Sequence, residues 1–282
     1  MKIKKVAVVG AGVMGSGIAY LCAWKGYEVS VNEISEELLE RGLGRIKELI
    51  ATGLKQGKLT SEEAKETMMR IKGTTDACGA ARDAEIVIEA ISEDMTAKKE
   101  LFKQLGMVCP SCVIFASNTS ALSINELSTA TKRPDKVIGL HFFNPAYALK
   151  LVEVIMGEQT SKETQEVIKN FAVSLGKEVV VAKDTPGFIV NRILSAALTE
   201  SIFLLQGGVA SAEDIDRAMT SGLNWPMGPL KLADFVGLDV VLDVNKTIYK
   251  TLGKGYEPPS MLEEKVKAGC LGVKNKKGFY DY

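Results

Sequence analysis

Short β-branched apolar runs alternate with longer segments of helical periodicity through the first two thirds of the chain. Val6-Ala7-Val8-Val9 reads as a buried strand. A glycine-rich turn follows, then a helical run over residues 16–25, which Gly26 is placed to end, and a second strand over Glu28–Asn32. From 35 to 70 the pattern is polar, charged and helical, with interruptions at Gly53 and Gly57. It predicts two antiparallel helices, 35–52 and 60–70, the second opened by a Thr60/Glu63 capping box. This stretch is too polar to be core on every face, so it is expected to form an arm over a cleft. Strand-like runs recur at 85–89, 113–116, 137–140, 151–155 and 179–181, with helices at 96–106 and 162–175 between them. Such alternation predicts an α/β, doubly wound, mostly parallel sheet. After Asp184-Thr185-Pro186-Gly187 no convincing strand follows, and helices are expected at 188–206, 212–220, 228–236, 238–252 and 260–267. The expected organisation is a sheet domain over 1–183, carrying the helical arm at about 35–70, and a smaller all-α domain over 184–282.

Composition narrows the function classes. The 282 residues carry 35 basic and 35 acidic side chains, so no global field exists to hold nucleic acid or an anionic membrane. The 46% hydrophobic content suffices for a sizeable core. No apolar run approaches the roughly 18 residues of a membrane span, and Met1-Lys2-Ile3-Lys4-Lys5 does not open a secretory signal. Five scattered cysteines do not form a disulfide framework, which makes the cytoplasm the expected compartment. Cys109-Pro-Ser-Cys112 has C-x-x-C spacing but precedes a strand and lacks a second pair, so a turn is expected there and no metal site.

Gly10-Ala11-Gly12-Val13-Met14-Gly15 is a G-x-G-x-x-G string. It follows a strand and opens a helix, the context a dinucleotide-binding Rossmann-type turn requires. Gly10 permits the tight turn, Gly12 lets a pyrophosphate approach the backbone, and Gly15 allows helix to pack on strand. Glu33, 18 residues after Gly15, is placed to accept hydrogen bonds from the adenosine ribose and to repel a 2′-phosphate. No arginine follows it, which favours NAD over NADP.

His141, the single histidine, closes the run Val137-Ile138-Gly139-Leu140 at the sheet edge where ligands bind in open α/β folds. Oxidation of a secondary alcohol needs a proton acceptor, and an imidazole with an ordinary pKa of about 6.5 suits that at neutral pH. Glu153 stands in the apolar run Leu151-Val152-Glu153-Val154-Ile155. It is either a buried partner for the imidazole or an outward-facing residue of an alternating strand. Ser117-Asn118-Thr119-Ser120 is a further polar cluster at that edge, serving either a ligand or a helix N-cap.

Several motifs in order resemble the (S)-3-hydroxyacyl-CoA dehydrogenase family nearly end to end. They are the glycine string continued by Ser16-Gly17, Ala116-Ser117-Asn118-Thr119-Ser120, His141-Phe142-Phe143-Asn144-Pro145, Lys150-Leu151-Val152-Glu153-Val154, Asp184-Thr185-Pro186-Gly187-Phe188-Ile189-Val190-Asn191-Arg192, Pro226-Met227-Gly228-Pro229 and Lys277-Gly278-Phe279-Tyr280-Asp281-Tyr282. The resemblance implies reversible NAD(H)-dependent oxidation of a short-chain 3-hydroxyacyl-CoA, such as the acetoacetyl-CoA/3-hydroxybutyryl-CoA pair. It implies His141 as general acid–base, Glu153 as its partner, Ser120 at the C3 oxygen and Asn191 near the thioester. It adds Val13, Met14, Glu93, Lys98, Asn118, Ser120 and Asn144 to Gly10, Gly12, Gly15 and Glu33 as cofactor-contacting positions. It further implies coenzyme A contact by the arm, through Lys55 with Lys58 in reserve, a substrate cleft beside the helical domain, and a homodimer or higher homo-oligomer. Without the resemblance, Glu93 and Lys98 read as a solvated charge pair. A dehydrogenase of free 3-hydroxy acids and a non-catalytic dinucleotide-binding protein are the alternatives.

Overall fold

The computed structural model describes residues 3–282; Met1 and Lys2, the start of the N-terminal segment read above, lie outside the described residues. The chain divides into two compact units, one running to Thr185 and one spanning Pro186–Tyr282.

The first unit is built on one eight-stranded sheet. Its strands are β1 (Lys5–Val9), β2 (Glu28–Asn32), β3 (Ile71–Thr74), β4 (Ile86–Glu89), β5 (Ile114–Ser117), β6 (Val137–Phe142), β7 (Leu151–Met156) and β8 (Glu178–Lys183), in the order β3-β2-β1-β4-β5-β6-β7-β8. Every pairing is parallel except β6 with β7. The helices are α1 (Val13–Trp24), α2 (Glu36–Lys55), α3 (Ser61–Met69), α4 (Ala77–Arg82), α5 (Met95–Val108), α6 (Ile124–Ser128) and α7 (Lys162–Ser174). Strands β1, β4, β5 and β6 are apolar and buried almost throughout because helices cover both faces of a parallel sheet. The chain leaves β1 toward β2 on one side, while β4 pairs on the other. That reversal opens a crevice at the carboxyl ends of β1 and β4, the place where open α/β sheets bind ligands.

The arm is packed more firmly than its polarity suggests. Leu39, Ile46 and Ile50 of α2, with Leu59 and Ala64 after it, belong to the unit's hydrophobic core. Gly53 does not interrupt α2, which continues to Lys55; Gly53 lies on the buried face, where an added Cβ would meet the Leu59 side chain at 2.9 Å. The reversal comes at Gly57, with φ +67°. The Thr60/Glu63 capping box opens α3 as the spacing predicts. Strand β3 was hidden because it is a short edge strand, IKGT, in which Ile71 alone is buried. Helix α1 begins at Val13 rather than 16, since the glycine turn itself enters the helix.

The second unit holds α8 (Val190–Gln206), α9 (Ala212–Leu223), α10 (Pro229–Val236), α11 (Leu238–Leu252) and α12 (Ser260–Lys267). Leu198, Ile202, Ile215, Leu230, Ala233, Leu238, Val241, Leu242 and Leu262 form its core. Helix α8 starts at Val190 rather than 188 because Gly187 and Phe188 both take positive φ. Beyond β8 the described residues contain only isolated bridges around Gly272, Lys277 and Asp281.

Two buried aspartates tie this unit together. The N-cap of α10, Gly228, has no side chain, so Asp216 of α9 supplies the missing acceptor and takes the Leu230 and Lys231 N–H groups at 2.8 and 3.0 Å. Asp234 is wholly buried and accepts from Phe279 N–H, Tyr280 N–H and the Tyr282 hydroxyl. Burial, aided by the Asp234 charge and hydrogen bond, pushes the Tyr282 phenol up to about 12, which keeps it a donor. Replacing Asp234 with Ala leaves buried donors unpaired, so Asp234→Ala is expected to lower unfolding stability by about 3 kcal/mol in a denaturant titration. A loss under about 1 kcal/mol would show that this anchor is dispensable.

Candidate active site

The glycine turn is built as a dinucleotide cradle. Gly10 follows β1 with φ +95°, and an added Cβ there would stand 2.5 Å from Ala90 O. A Cβ on Gly15 would fall 1.7 Å from Gly10 O, so only glycine lets α1 close on the strand end. At Gly12 nothing lies within 4 Å of the same position, which leaves the turn open to a ligand approaching the backbone. Gly12 is also the N-cap of α1, and no side chain caps that helix, so its first N–H groups face the crevice with a positive macrodipole. These features fit the pyrophosphate of a dinucleotide.

A cavity of about 710 Å³ extends from this turn, lined on one side by Gly10, Gly12, Val13, Met14, Glu33 and Ile34 and on the other by Glu93, Asn118 and Ser120. Gly15 packs beneath it. Glu33 accepts the Ala11 N–H at 2.8 Å and the Ile34 N–H at 3.1 Å, so the residue that the sequence pattern assigns to the ribose braces the turn. From α2, Arg45 reaches the same turn, its Nη1 donating to Ala11 O at 3.2 Å. The sequence reading missed Arg45, because one arginine on a polar helix carries no signal of its tertiary contact.

Lys98 corrects the expectation of a solvated charge pair. It is 1% exposed, bonded to Glu89 at 2.5 Å and 3.2 Å from Glu93. It therefore lies below the cavity wall, and Glu93 is the member that lines the cavity. Glu93 Oε1 accepts the Thr119 hydroxyl at 2.5 Å and the Ser120 N–H at 2.8 Å, fixing the loop after β5. That loop is not an N-cap, since Ser123 caps α6.

His141 is the penultimate residue of β6, and the antiparallel register sets it directly opposite Glu153 of β7. Nδ1 and Glu153 Oε2 are 2.8 Å apart. Glu153 is wholly buried and His141 nearly so, which excludes the outward-facing reading of Glu153. The ring packs against Phe143 with centroids 4.4 Å apart. Next along the strand, the Phe142 N–H donates to Asn118 Oδ1 at 2.9 Å, linking the imidazole's strand to a cavity-lining side chain.

Asn144 lines a separate, smaller cleft of about 280 Å³ that shares Val13 with the first and lies between α1, the arm residues Arg45, Glu48, Leu49 and Thr52, and Pro145 to Tyr147. The loop bearing Asn144 is held by Lys177, whose Nζ donates to Ala146 O at 2.5 Å and Leu149 O at 2.6 Å; burial lowers the pKa of this ammonium. Lys55, at the exposed end of α2, and Lys58 line neither cavity. Asn191 stands in the first turn of α8, in the helical unit. Among the described residues no group of three or more His, Cys, Asp or Glu could hold a metal ion, and Cys109 and Cys112 are both free thiols. No helix among the described residues is long and apolar enough to cross a membrane.

Glu33→Ala removes a charged acceptor from the cavity. It is expected to weaken NADH by about 10- to 100-fold and to narrow the gap to NADPH, read as KM for each cofactor. Unchanged kinetics with both would place the ribose contact elsewhere.

Comparison with known proteins places this architecture. The family profile described as 3-hydroxyacyl-CoA dehydrogenase, NAD binding domain, matches residues 5–185, and the corresponding C-terminal domain profile matches residues 187–282. A probable 3-hydroxybutyryl-CoA dehydrogenase of Bacillus subtilis is 46% identical over 100% of this chain and 98% of its own length. The 3-hydroxybutyryl-CoA dehydrogenase of Clostridioides difficile is 42% identical over 99% of each chain. The crystal structure of (S)-3-hydroxybutyryl-CoA dehydrogenase from Ralstonia eutropha matches with a TM-score of 0.97 at 40% identity, covering 100% of this chain and 99% of that one. The chain belongs to the 3-hydroxyacyl-CoA dehydrogenase family and is an NAD-dependent oxidoreductase.

Proposed function

We propose that this chain interconverts short (S)-3-hydroxyacyl-CoA and 3-ketoacyl-CoA, with acetoacetyl-CoA and 3-hydroxybutyryl-CoA as the substrate pair and His141 as general acid–base. The observation that carries this reading is the buried His141–Glu153 pair at the carboxyl edge of the sheet that also carries the dinucleotide cradle. When bound, NAD(H) supplies or accepts the hydride, two electrons and a hydrogen nucleus, at C3 of the acyl group. In the reductive direction His141 gives a proton from Nε2 to the C3 oxygen as that oxygen gains negative charge. Glu153, held against Nδ1, fixes the tautomer and balances the imidazolium. In the oxidative direction the same nitrogen takes the proton back.

Ser120 donates its hydroxyl to the C3 oxygen, and Asn191 donates to the oxygen at the thioester. Preorganised donors of this kind act where charge develops and supply most of the rate, together with positioning. Asn144 and its loop border the smaller cleft along α2, and Lys55 and Lys58 lie further along the arm. That arrangement supports a course for the coenzyme A portion along the arm, its phosphates meeting these lysines. The exposed Ile193, Phe203, Phe235 and Val240 of the helical unit support a homodimer formed through that unit. The five free cysteines suit a reducing compartment such as the cytoplasm.

His141→Ala is expected to lose turnover of acetoacetyl-CoA by about a hundred- to ten-thousandfold while NADH still binds, measured by initial rates and fluorescence titration. Normal turnover in that variant would remove the histidine from the mechanism. A rate series with acetoacetyl-CoA, longer 3-ketoacyl-CoAs and free acetoacetate tests the substrate class; equal rates with free acetoacetate would sink the coenzyme A assignment. Light scattering is expected to give twice the chain mass or more, and a monomer at micromolar concentration would overturn the proposed assembly.

A further inference from the structure

Glu89 has no part in the reaction proposed above, yet it is among the most costly groups to keep in this fold. It ends β4, wholly buried, with Val9 of β1 and Ser117 of β5 as its register neighbours. Its carboxylate accepts the Lys98 ammonium at 2.5 Å, the Ser117 hydroxyl at 2.5 Å and the Ile91 N–H at 2.8 Å. Lys98 Nζ lies 3.2 Å from Glu93 as well, and Glu93 lines the dinucleotide cavity with its side chain 42% exposed. One ammonium between two carboxylates leaves one negative charge uncompensated. The Thr119 hydroxyl and Ser120 N–H that bond Glu93 are dipoles, which steady that charge without cancelling it. A Glu89–Lys98 pair by itself would be neutral, and mere bracing of the loop would not call for a third charge.

The cavity has two chemically different ends. Glu33 marks the end for the adenosine ribose, so the end lined by Glu93, Asn118 and Ser120 receives the nicotinamide half. The nicotinamide ring carries a positive charge when oxidised and none when reduced. A fixed charge beside it therefore acts on one redox state and not on the other, and a partly buried charge is screened less by salt than an exposed one. We infer that the Glu89–Lys98–Glu93 triad sets the relative affinity for oxidised and reduced cofactor, holding NAD+ more tightly against NADH than the same pocket would without its net charge. On the enzyme this draws the hydride toward the acyl carbon, favouring the hydroxyacyl product beside bound NAD+. The inference rests on the proposed use of NAD(H), with its adenosine ribose at Glu33, and is independent of the acyl substrate.

The test is a pair of binding constants, for NAD+ and for NADH, measured by calorimetric and fluorescence titration of the full chain without any acyl substrate. Glu89→Gln keeps the shape of the side chain and removes one negative charge. The ratio Kd(NAD+)/Kd(NADH) is expected to rise roughly three- to thirtyfold, the span of one unit charge acting through protein at an effective dielectric of about 20. Glu33→Ala, at the other end of the cavity, is expected to weaken both forms by a similar factor. An unchanged ratio in folded Glu89→Gln, or an equal weakening of both forms, would overturn the inference and leave the triad a strut. Should Glu89→Gln fail to fold, Glu93→Gln removes the same charge from a partly exposed position, and an unchanged ratio there is equally fatal. Because no acyl-CoA enters these titrations, an absence of acetoacetyl-CoA turnover would count against the proposed reaction alone.

Discussion

The parallel pairing of β1 with both β2 and β4 is the constraint on which the rest of this structure depends. The chain winds outward from β1 through β2 to β3 and then returns to β4 on the other side of β1, so the connections run in opposite directions at this point and a crevice opens between them. The glycine turn forms the floor of that space. Gly10 O packs so close under Gly15 that any side chain there would push α1 off the strand end, and with it the N–H groups aimed at the ligand. Helix α1 and the arm secure the same turn from behind: Ser16 Oγ of α1 donates to Ala11 O at 2.8 Å, and Arg45 of α2 donates to the same oxygen.

Building function on the carboxyl edge of a buried sheet creates an electrostatic problem. Catalytic and binding groups are polar, while the strands that present them have no water around them. The fold answers it by pairing its buried carboxylates: Glu89 at the end of β4 with Lys98 and Ser117, and Glu153 within β7 with His141. Each carboxylate is satisfied by donors within 2.8 Å, so each holds its neighbours in one arrangement. Removing one member of such a pair costs about 3–5 kcal/mol, because the remaining charge is stranded. The helical unit uses the same device for a structural purpose: Asp216 accepts N–H groups of α10 and the Tyr280 hydroxyl, and Asp234 accepts N–H groups and the Tyr282 hydroxyl of the chain's closing segment.

What was legible in the sequence followed from local rules. Short β-branched apolar runs predict strands, and β1, β2, β4, β5, β6, β7 and β8 lie where those runs lie. The G-x-G-x-x-G string with Glu33 carries its own context, so its geometry could be read residue by residue. Tertiary contacts stayed hidden. Gly53 looked like a helix break because glycine is a poor helix former, but close approach by Leu59 outweighed propensity. Strand β3 was invisible because an edge strand needs little apolar character. Lys98 looked solvated because nothing local shows that a lysine on α5 points down toward an acid on β4. Glu89 did leave a trace: like Glu153, it is an acid adjoining β-branched apolar residues of a strand run.

The two buried acids differ in the partner each is given, and that difference separates two tasks. Lysine holds its proton through a catalytic cycle, so Glu89, Lys98 and Glu93 make a field that stays constant while substrates come and go. An imidazole exchanges its proton readily, so in the proposed reaction the charge beside Glu153 changes at each turnover. Exchanging the partners would undo both tasks: a lysine opposite Glu153 would be a poor proton acceptor, and a histidine under Glu93 would make the cavity's field depend on pH. The strand order keeps them apart, with β5 lying between the strand that carries Glu89 and the strand that carries His141. Asn118, just past the end of β5, both lines the cavity and bonds the imidazole's strand, so the fixed field and the mobile proton meet across a neutral amide.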